Sequence, residues 1–148
     1  MTLRTSAPVV VHLLRHAHSE ANLKGVLAGR IEGISLSKKG QEQALALVPT
    51  LSQLKISHIH SSPLQRCIET VSPFQRDFRS LKIKKNSAFI EMDYGSWSGR
   101  KLSTLSKQKL WNHIQSTPSV VRFPEGESFL EMRSRAIDGI ENLRGIKG

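Results

Sequence analysis

Val9, Val10, Val11, His12, Leu13 and Leu14 make a nearly unbroken apolar, β-branched run that ends on Arg15-His16, and no other six residues limit the fold as much. A short run with no polar alternation reads as a strand buried on both faces, the habit of parallel sheets covered by helices. Open α/β sheets bind their ligands outside the carboxyl ends of the strands. His16 falls where that rule expects a site.

The rest of the chain supplies alternating elements. Ser37 is a fair N-cap for a helix in which Ala44, Leu47, Val48 and Leu51 recur, with Pro49 expected to end or kink it. Ile56 to Ser61 alternates as a second strand, and Ser62-Pro63 offers the cap and first-turn proline of a helix packing through Leu64, Cys67, Ile68 and Val71. Lys82-Ile83-Lys84 leads through Asn86 to Ala88-Phe89-Ile90, a third strand that delivers Glu91 into a loop rich in Gly and aromatics. Lys101 to Ile114 reads as helical, Thr117-Pro118 and Pro124-Glu125-Gly126 as breaks. A last helix from about Glu127 shows Phe129, Arg133, Ala136, Ile137, Ile140 and Leu143 on one face. This succession predicts an α/β layer architecture in a single domain over residues 1–148.

Charge and composition narrow the function classes. The 148 residues carry 22 Lys and Arg against 12 Asp and Glu, a net charge of +10 that attracts polyanions in general. Only Arg76, Arg79, Lys82, Lys84 and Lys85 gather densely, and no stacking aromatics lie among them, so specific nucleic-acid binding is not expected. A solvated basic face accounts for the charge. Cys67 stands alone, which leaves no intramolecular disulfide and fits a reducing cytoplasmic setting. No Cys/His spacing suits zinc, so no structural metal is implied; no cofactor is expected, and Pro8 to Leu14 is too short to span a bilayer.

Phosphoryl transfer needs cationic donors for the non-bridging oxygens, an in-line nucleophile and a proton source for the leaving oxygen. Arg15, His16, Arg66 and Glu91 are the residue types for those parts. A neutral imidazole is a nucleophile near pH 7, and an Arg fork holds two phosphate oxygens at once, which the scattered lysines do not. Ser19 and Asn22 suit either phosphate contact or capping of the following turn. Tyr94 and Trp97 could pack as core or enclose Glu91, and an apolar enclosure would favour its neutral, proton-donating form.

Several blocks together resemble the histidine phosphatase, or phosphoglycerate mutase-like, superfamily. They are Arg15-His16 with Asn22; Ser61-Ser62-Pro63-Leu64 with Arg66 and Thr70; Glu91 through Gly99; and Pro124-Glu125-Gly126-Glu127-Ser128. Gly25 to Arg30, Asp93 to Arg100 and Pro118 to Pro124 are similar to a bacterial subgroup described as phosphomutases. The resemblance implies a three-layer α/β/α sheet, His16 as the phosphorylated nucleophile, Arg15 and Arg66 on the phosphoryl oxygens, and Glu91 as general acid. Asn22 and Ser19 would assist phosphate binding. It implies a metal-independent phosphatase or phosphomutase acting on a small phosphorylated metabolite.

Two departures stand out. Ala17 replaces the Gly most frequent in the family, and the strand bearing the family's second histidine, which the resemblance places in mid-sheet beside the His16 strand, has no counterpart before Gly148. Its absence would leave an unpaired edge. The expectation is therefore a C-terminally short family member, with a catalytically impaired phosphate-binding remnant as the alternative.

Overall fold

The structure, a computed structural model, describes residues 9–144 and 146. A short helix α1 (Glu20–Leu23) is followed by α2 (Lys38–Ala46), α3 (Val48–Ser52), β1 (Ile59–Ser61), α4 (Gln65–Asp77) and β2 (Ile83–Lys85). Then come α5 (Leu102–Leu105), α6 (Lys109–Ser116) and α7 (Phe129–Glu141), with 3-10 turns at Ser87–Phe89, Gly95–Trp97 and Pro118–Val120. β1 and β2 run parallel, Ile59 opposite Ile83 and Ser61 opposite Lys85, with α4 as the crossover between them. This mixture of helix and strand around a parallel sheet is the α/β class that the sequence predicts.

Local chemistry explains most boundaries. The Ser37 hydroxyl caps α2 by accepting from the Gly40 amide, and the chain breaks at Leu47 so that Pro49 falls in the first turn of α3. The helix expected from Ser62-Pro63 starts two residues later, at Gln65, because the Ser62 hydroxyl accepts from the Leu64 amide in a turn before it. The stretch expected to be one helix over Lys101 to Ile114 divides into α5 and α6, and α7 begins at Phe129 behind a reciprocal box between Ser128 and Glu131.

Three expectations are corrected. Val9 to Leu14 belongs to no β-ladder among the described residues, and it is open rather than buried: Val10 is 74% and Leu13 83% exposed. Such a strand is buried on both faces only when it lies within a sheet that helices cover, and no described strand pairs with this run to include it in one. The third strand lies at Ile83–Lys85, not at Ala88 to Ile90, because the Asn86 side chain accepts from the Ala88 amide and turns the chain into a 3-10 turn. On α7, Arg133 and Ile137 face solvent, whereas Phe129 and Met132 join the core and Gly139 is buried.

Two larger apolar clusters and a small one support this frame. Leu51, Ile59, Val71 and Phe74 fill the space between α3, α4 and β1. Met92, Trp97, Leu105 and Phe123 form the other large cluster, with Tyr94, Trp111, Phe129 and Met132 against it. Tyr94 and Trp97 meet Phe123 edge-on, at centroid distances of 4.8 Å and 5.5 Å. The small cluster of Ala17, Leu36 and Ala44 lies behind His16 and lets α2 come close, and Gly40 is required there because a Cβ would collide with the His18 carbonyl.

Candidate functional site

His16 follows the unpaired apolar run and is fixed from the residues after it. The Ala17 amide donates to the Thr70 hydroxyl at 3.0 Å, and that hydroxyl donates to the Arg66 carbonyl at 2.7 Å, so α4 holds the turn directly. The His18 amide donates to the Gln43 side-chain oxygen at 2.9 Å, and the Ser37 amide and hydroxyl both donate to the His18 carbonyl, at 3.0 Å and 3.1 Å. α2 and α4 thus clamp the turn between them.

The His16 ring is oriented by a bond to its own neighbour. Nδ1 lies 2.8 Å from the Ala17 carbonyl, which can only accept, so Nδ1 carries the proton of the neutral ring and Nε2 keeps its lone pair. Burial lowers the imidazole pKa below 6.5, and the guanidinium groups of Arg66 and Arg15 push the same way against the Ala17 bond and Glu91. The neutral ring is therefore favoured at neutral pH.

Arg66 is the least ordinary residue of the site. It is 1% exposed at the start of α4, its Nη2 donates to the Gly29 carbonyl at 2.9 Å, and its Nε and Nη1 are buried with no hydrogen-bond partner among the described residues. Buried unpaired donors cost about 1–3 kcal/mol each, more on a charged group, so they are kept where something else satisfies them. Arg15, by contrast, is exposed.

Glu91 lies near enough for its charge to act on the His16 ring. One of its carboxylate oxygens accepts from the Met92 amide at 2.8 Å. Tyr94 is the aromatic that reaches it: burial, the Glu91 charge and a hydrogen bond to Glu91 together push the phenol up to about 12. Trp97 packs in the core instead, stacked on Trp111 at 6.4 Å.

Ser19 and Asn22 form a reciprocal cap on α1. The Ser19 amide and hydroxyl both donate to Asn22 Oδ1 at 2.9 Å, and the Asn22 amide donates back to the Ser19 oxygen at 3.2 Å. Ser19 is buried by this box, while Asn22 stays exposed. Electrostatics link Arg15, His16, Arg66, Glu91 and Tyr94 as one neighbourhood, since the charges of Arg15, Arg66 and Glu91 act on both the His16 and the Tyr94 pKa.

Three residues of the site escaped assignment from sequence. Thr70 was visible as part of a motif but without a task; Arg30 donates from Nε to the Glu91 carbonyl at 2.9 Å; and Arg135 reaches the same carbonyl from α7. A cleft of about 410 Å³ opens beside the α4 start, lined by Arg30, Pro63, Leu64, Ile68, Lys85 and Ile90 among others. Among the described residues no cluster of His, Cys, Asp and Glu could hold a metal ion, and no helix is long and apolar enough to cross a membrane.

A parallel sheet beside an Arg-His turn, a buried arginine and a glutamate whose charge reaches the histidine is in keeping with the family comparison: residues 11–147 match the model of the histidine phosphatase superfamily (branch 1). The chain belongs to that superfamily. It is 31% identical over 134 residues to phosphoserine phosphatase 1 of Hydrogenobacter thermophilus, covering 89% of this chain and 63% of the relative. It is 28% identical to the 2,3-bisphosphoglycerate-dependent phosphoglycerate mutase of Thermoplasma acidophilum, covering 90% and 66%. In fold it is similar to the crystal structure of the alpha-ribazole phosphatase from Shigella flexneri, with a TM-score of 0.77 at 24% identity over 88% of this chain and 64% of that one. The chain thus spans just under two thirds of the length of these relatives.

Proposed function

We propose that this chain acts on small phosphorylated metabolites as a phosphatase or phosphomutase, through a phosphohistidine formed on His16 Nε2 and without a metal. The observation that carries the reading is the buried Arg66 guanidinium, whose Nε and Nη1 have no acceptor among the described residues. A phosphoryl group brings oxygens that accept from such a fork, and each charge-assisted bond is stronger than a neutral one. Arg15 adds a second guanidinium on the open side, and the side-chain Nδ2 of Asn22, whose Oδ1 is held by the box with Ser19, adds a neutral donor.

In the forward step Nε2 attacks phosphorus, the bond to the leaving oxygen breaks, and Glu91 supplies that oxygen with a proton. Water then attacks the phosphohistidine, returning His16 and releasing phosphate, with the Glu91 carboxylate taking the proton from the water. Hydrolysis is favoured over mutase transfer because Arg15 is exposed and His16 only half-buried, so water has access to the intermediate. The names of relatives that are phosphoserine phosphatases and phosphoglycerate mutases support a small phosphorylated substrate.

A binding-only reading draws on the same open side: with Arg15 lacking an ion-pair partner among the described residues, the site could hold phosphate without turning it over. The two readings separate in one assay. Hydrolysis of p-nitrophenyl phosphate in chelator-containing buffer should be measurable and should fall at least 100-fold in His16→Ala, as expected for removal of a nucleophile. Phosphate binding with turnover no higher than in the variant would favour the binding-only reading.

A further inference from the structure

We propose that Arg135 on α7 is a positioning residue for Glu91, acting through the backbone of the acid's loop; the proposal rests on the reading of Glu91 as the proton donor. All five N–H groups of its guanidinium are spent on one task. Nη1 donates to the carbonyls of Ala88 (2.9 Å) and Ile90 (2.7 Å), and Nη2 donates to the Glu91 carbonyl (3.2 Å). Nε and Nη2 also form a two-pronged pair with the Glu127 carboxylate, at 2.7 Å and 2.9 Å.

Glu127 then joins this clamp to a second one. Its Oε2 also accepts from Arg30 Nη2 at 3.1 Å and from the Asp93 amide at 3.2 Å, while Arg30 Nε donates to the Glu91 carbonyl from its own side. The Glu91 carbonyl is therefore gripped by two guanidinium groups, with the carboxylate between them holding both at a fixed distance. Neither arginine touches the Glu91 carboxylate in any described contact. They fix the peptide from which the carboxylate is aimed, and leave the carboxylate itself to the Met92 amide and Tyr94.

The same residues that hold the loop tie it to α7. Gly139, one turn further on, is packed so closely on Ala88 and Phe89 that a Cβ there would meet the Ala88 Cβ at 2.7 Å. α7 is thus the rigid rail against which the 3-10 turn Ser87–Phe89 and the acid's loop are set. A planar fork with five donors suits this task, and an ammonium with three does not.

The test compares two esters in the full 148-residue chain, before and after Arg135→Gln and Arg135→Lys. Loss of a correctly placed acid slows an alkyl monoester, whose alkoxide must be protonated as it leaves, far more than p-nitrophenyl phosphate, whose phenolate leaves unaided. Expected is a fall of roughly 10- to 100-fold in the ratio of kcat for glycerol 1-phosphate to kcat for p-nitrophenyl phosphate, with KM little changed and no rescue by Lys. Hydrogen exchange should quicken over residues 86–97 and not in α2 or α4. Glu127→Gln, a milder change, should move the ratio the same way by less. An equal fall with both esters, or exchange that quickens everywhere, would assign Arg135 to general stability and overturn the proposal. A wild-type chain that turns over neither ester refutes the catalytic reading instead; unchanged exchange in the variants would then also refute the clamp.

Discussion

The two halves of the site are held in opposite ways. On the side of the proposed nucleophile, His16 emerges from a six-residue apolar run that no described strand pairs with, and it owes its place to ties made just after it, from Thr70, Gln43 and Ser37. On the side of the proposed acid, Glu91 enters from a turn braced by Arg135, Arg30 and Glu127 and backed by the aromatic cluster around Phe123. Hydrogen bonds from neighbouring helices hold the turn after His16, and the Ala17 carbonyl of that turn orients the ring. Aiming an acid from a loop requires that the loop itself be made rigid.

The contrast is tested most strongly in the aromatic cluster. Phe123 is 2% exposed and touches Tyr94, Trp97 and Phe129, so Phe123→Ala should cost about 3–5 kcal/mol of stability in a denaturant titration. Because Tyr94 leans on it, the same variant should lose more turnover than its folded fraction explains. A cost below about 1 kcal/mol would mean that the charge clamp alone supports the acid's side.

The His16 side should answer to charge as well as to burial. His16 is held below 6.5 by burial and then by the Arg66 and Arg15 charges, so its neutral form is the one the fold favours. As pH falls through 6.5 the unfolded chain takes up this proton before the folded one does. Stability therefore declines from 6.5 downward and stops declining once the pH is below the folded pKa. In Arg66→Met one repelling charge is gone, and the midpoint of the His16 ring titration, followed by NMR at the carbon between its nitrogens, should move up toward 6.5. A wild-type midpoint above 6.5 would show that the Ala17 bond and the Glu91 charge together outweigh burial and the arginines. The same variant removes two unpaired buried donors, so its thermal midpoint should hold or rise while its affinity for phosphate falls.

The candidate groups of this site were legible from residue types, because the proposed chemistry is local. Arg15-His16, Arg66 and Glu91 were singled out by the demands of phosphoryl transfer, and the structure places them in one electrostatic neighbourhood. The Ser37 cap and the break at Pro49 were legible for the same reason, as each is decided within one turn of chain. What stayed hidden depends on partners distant in sequence. Arg135 looks like any surface arginine on a helix until Glu127 and three carbonyls from residues 88–91 close around it. An apolar-periodicity reading selects Arg133 and Ile137 for the inner face and passes over the polar contact that positions α7. The turn at Ser87–Phe89 was hidden because an asparagine side chain, not the strand-like residues after it, decides the backbone there.

Val9 to Leu14 is the sharpest case, since its pattern is that of a buried strand and its surroundings are those of a surface. Propensity describes how well a residue fits a pleated, half-buried place; it cannot provide the neighbour that makes the place. Leu13→Ser is the direct test. At 83% exposure the side chain has little burial to lose, and the change should alter stability by no more than about 0.5 kcal/mol and leave turnover of p-nitrophenyl phosphate within twofold. A cost near 2–3 kcal/mol, the size expected for a leucine taken out of a core, would show that in solution this run is covered, and that the nucleophile's side is held from before His16 as well as from behind it.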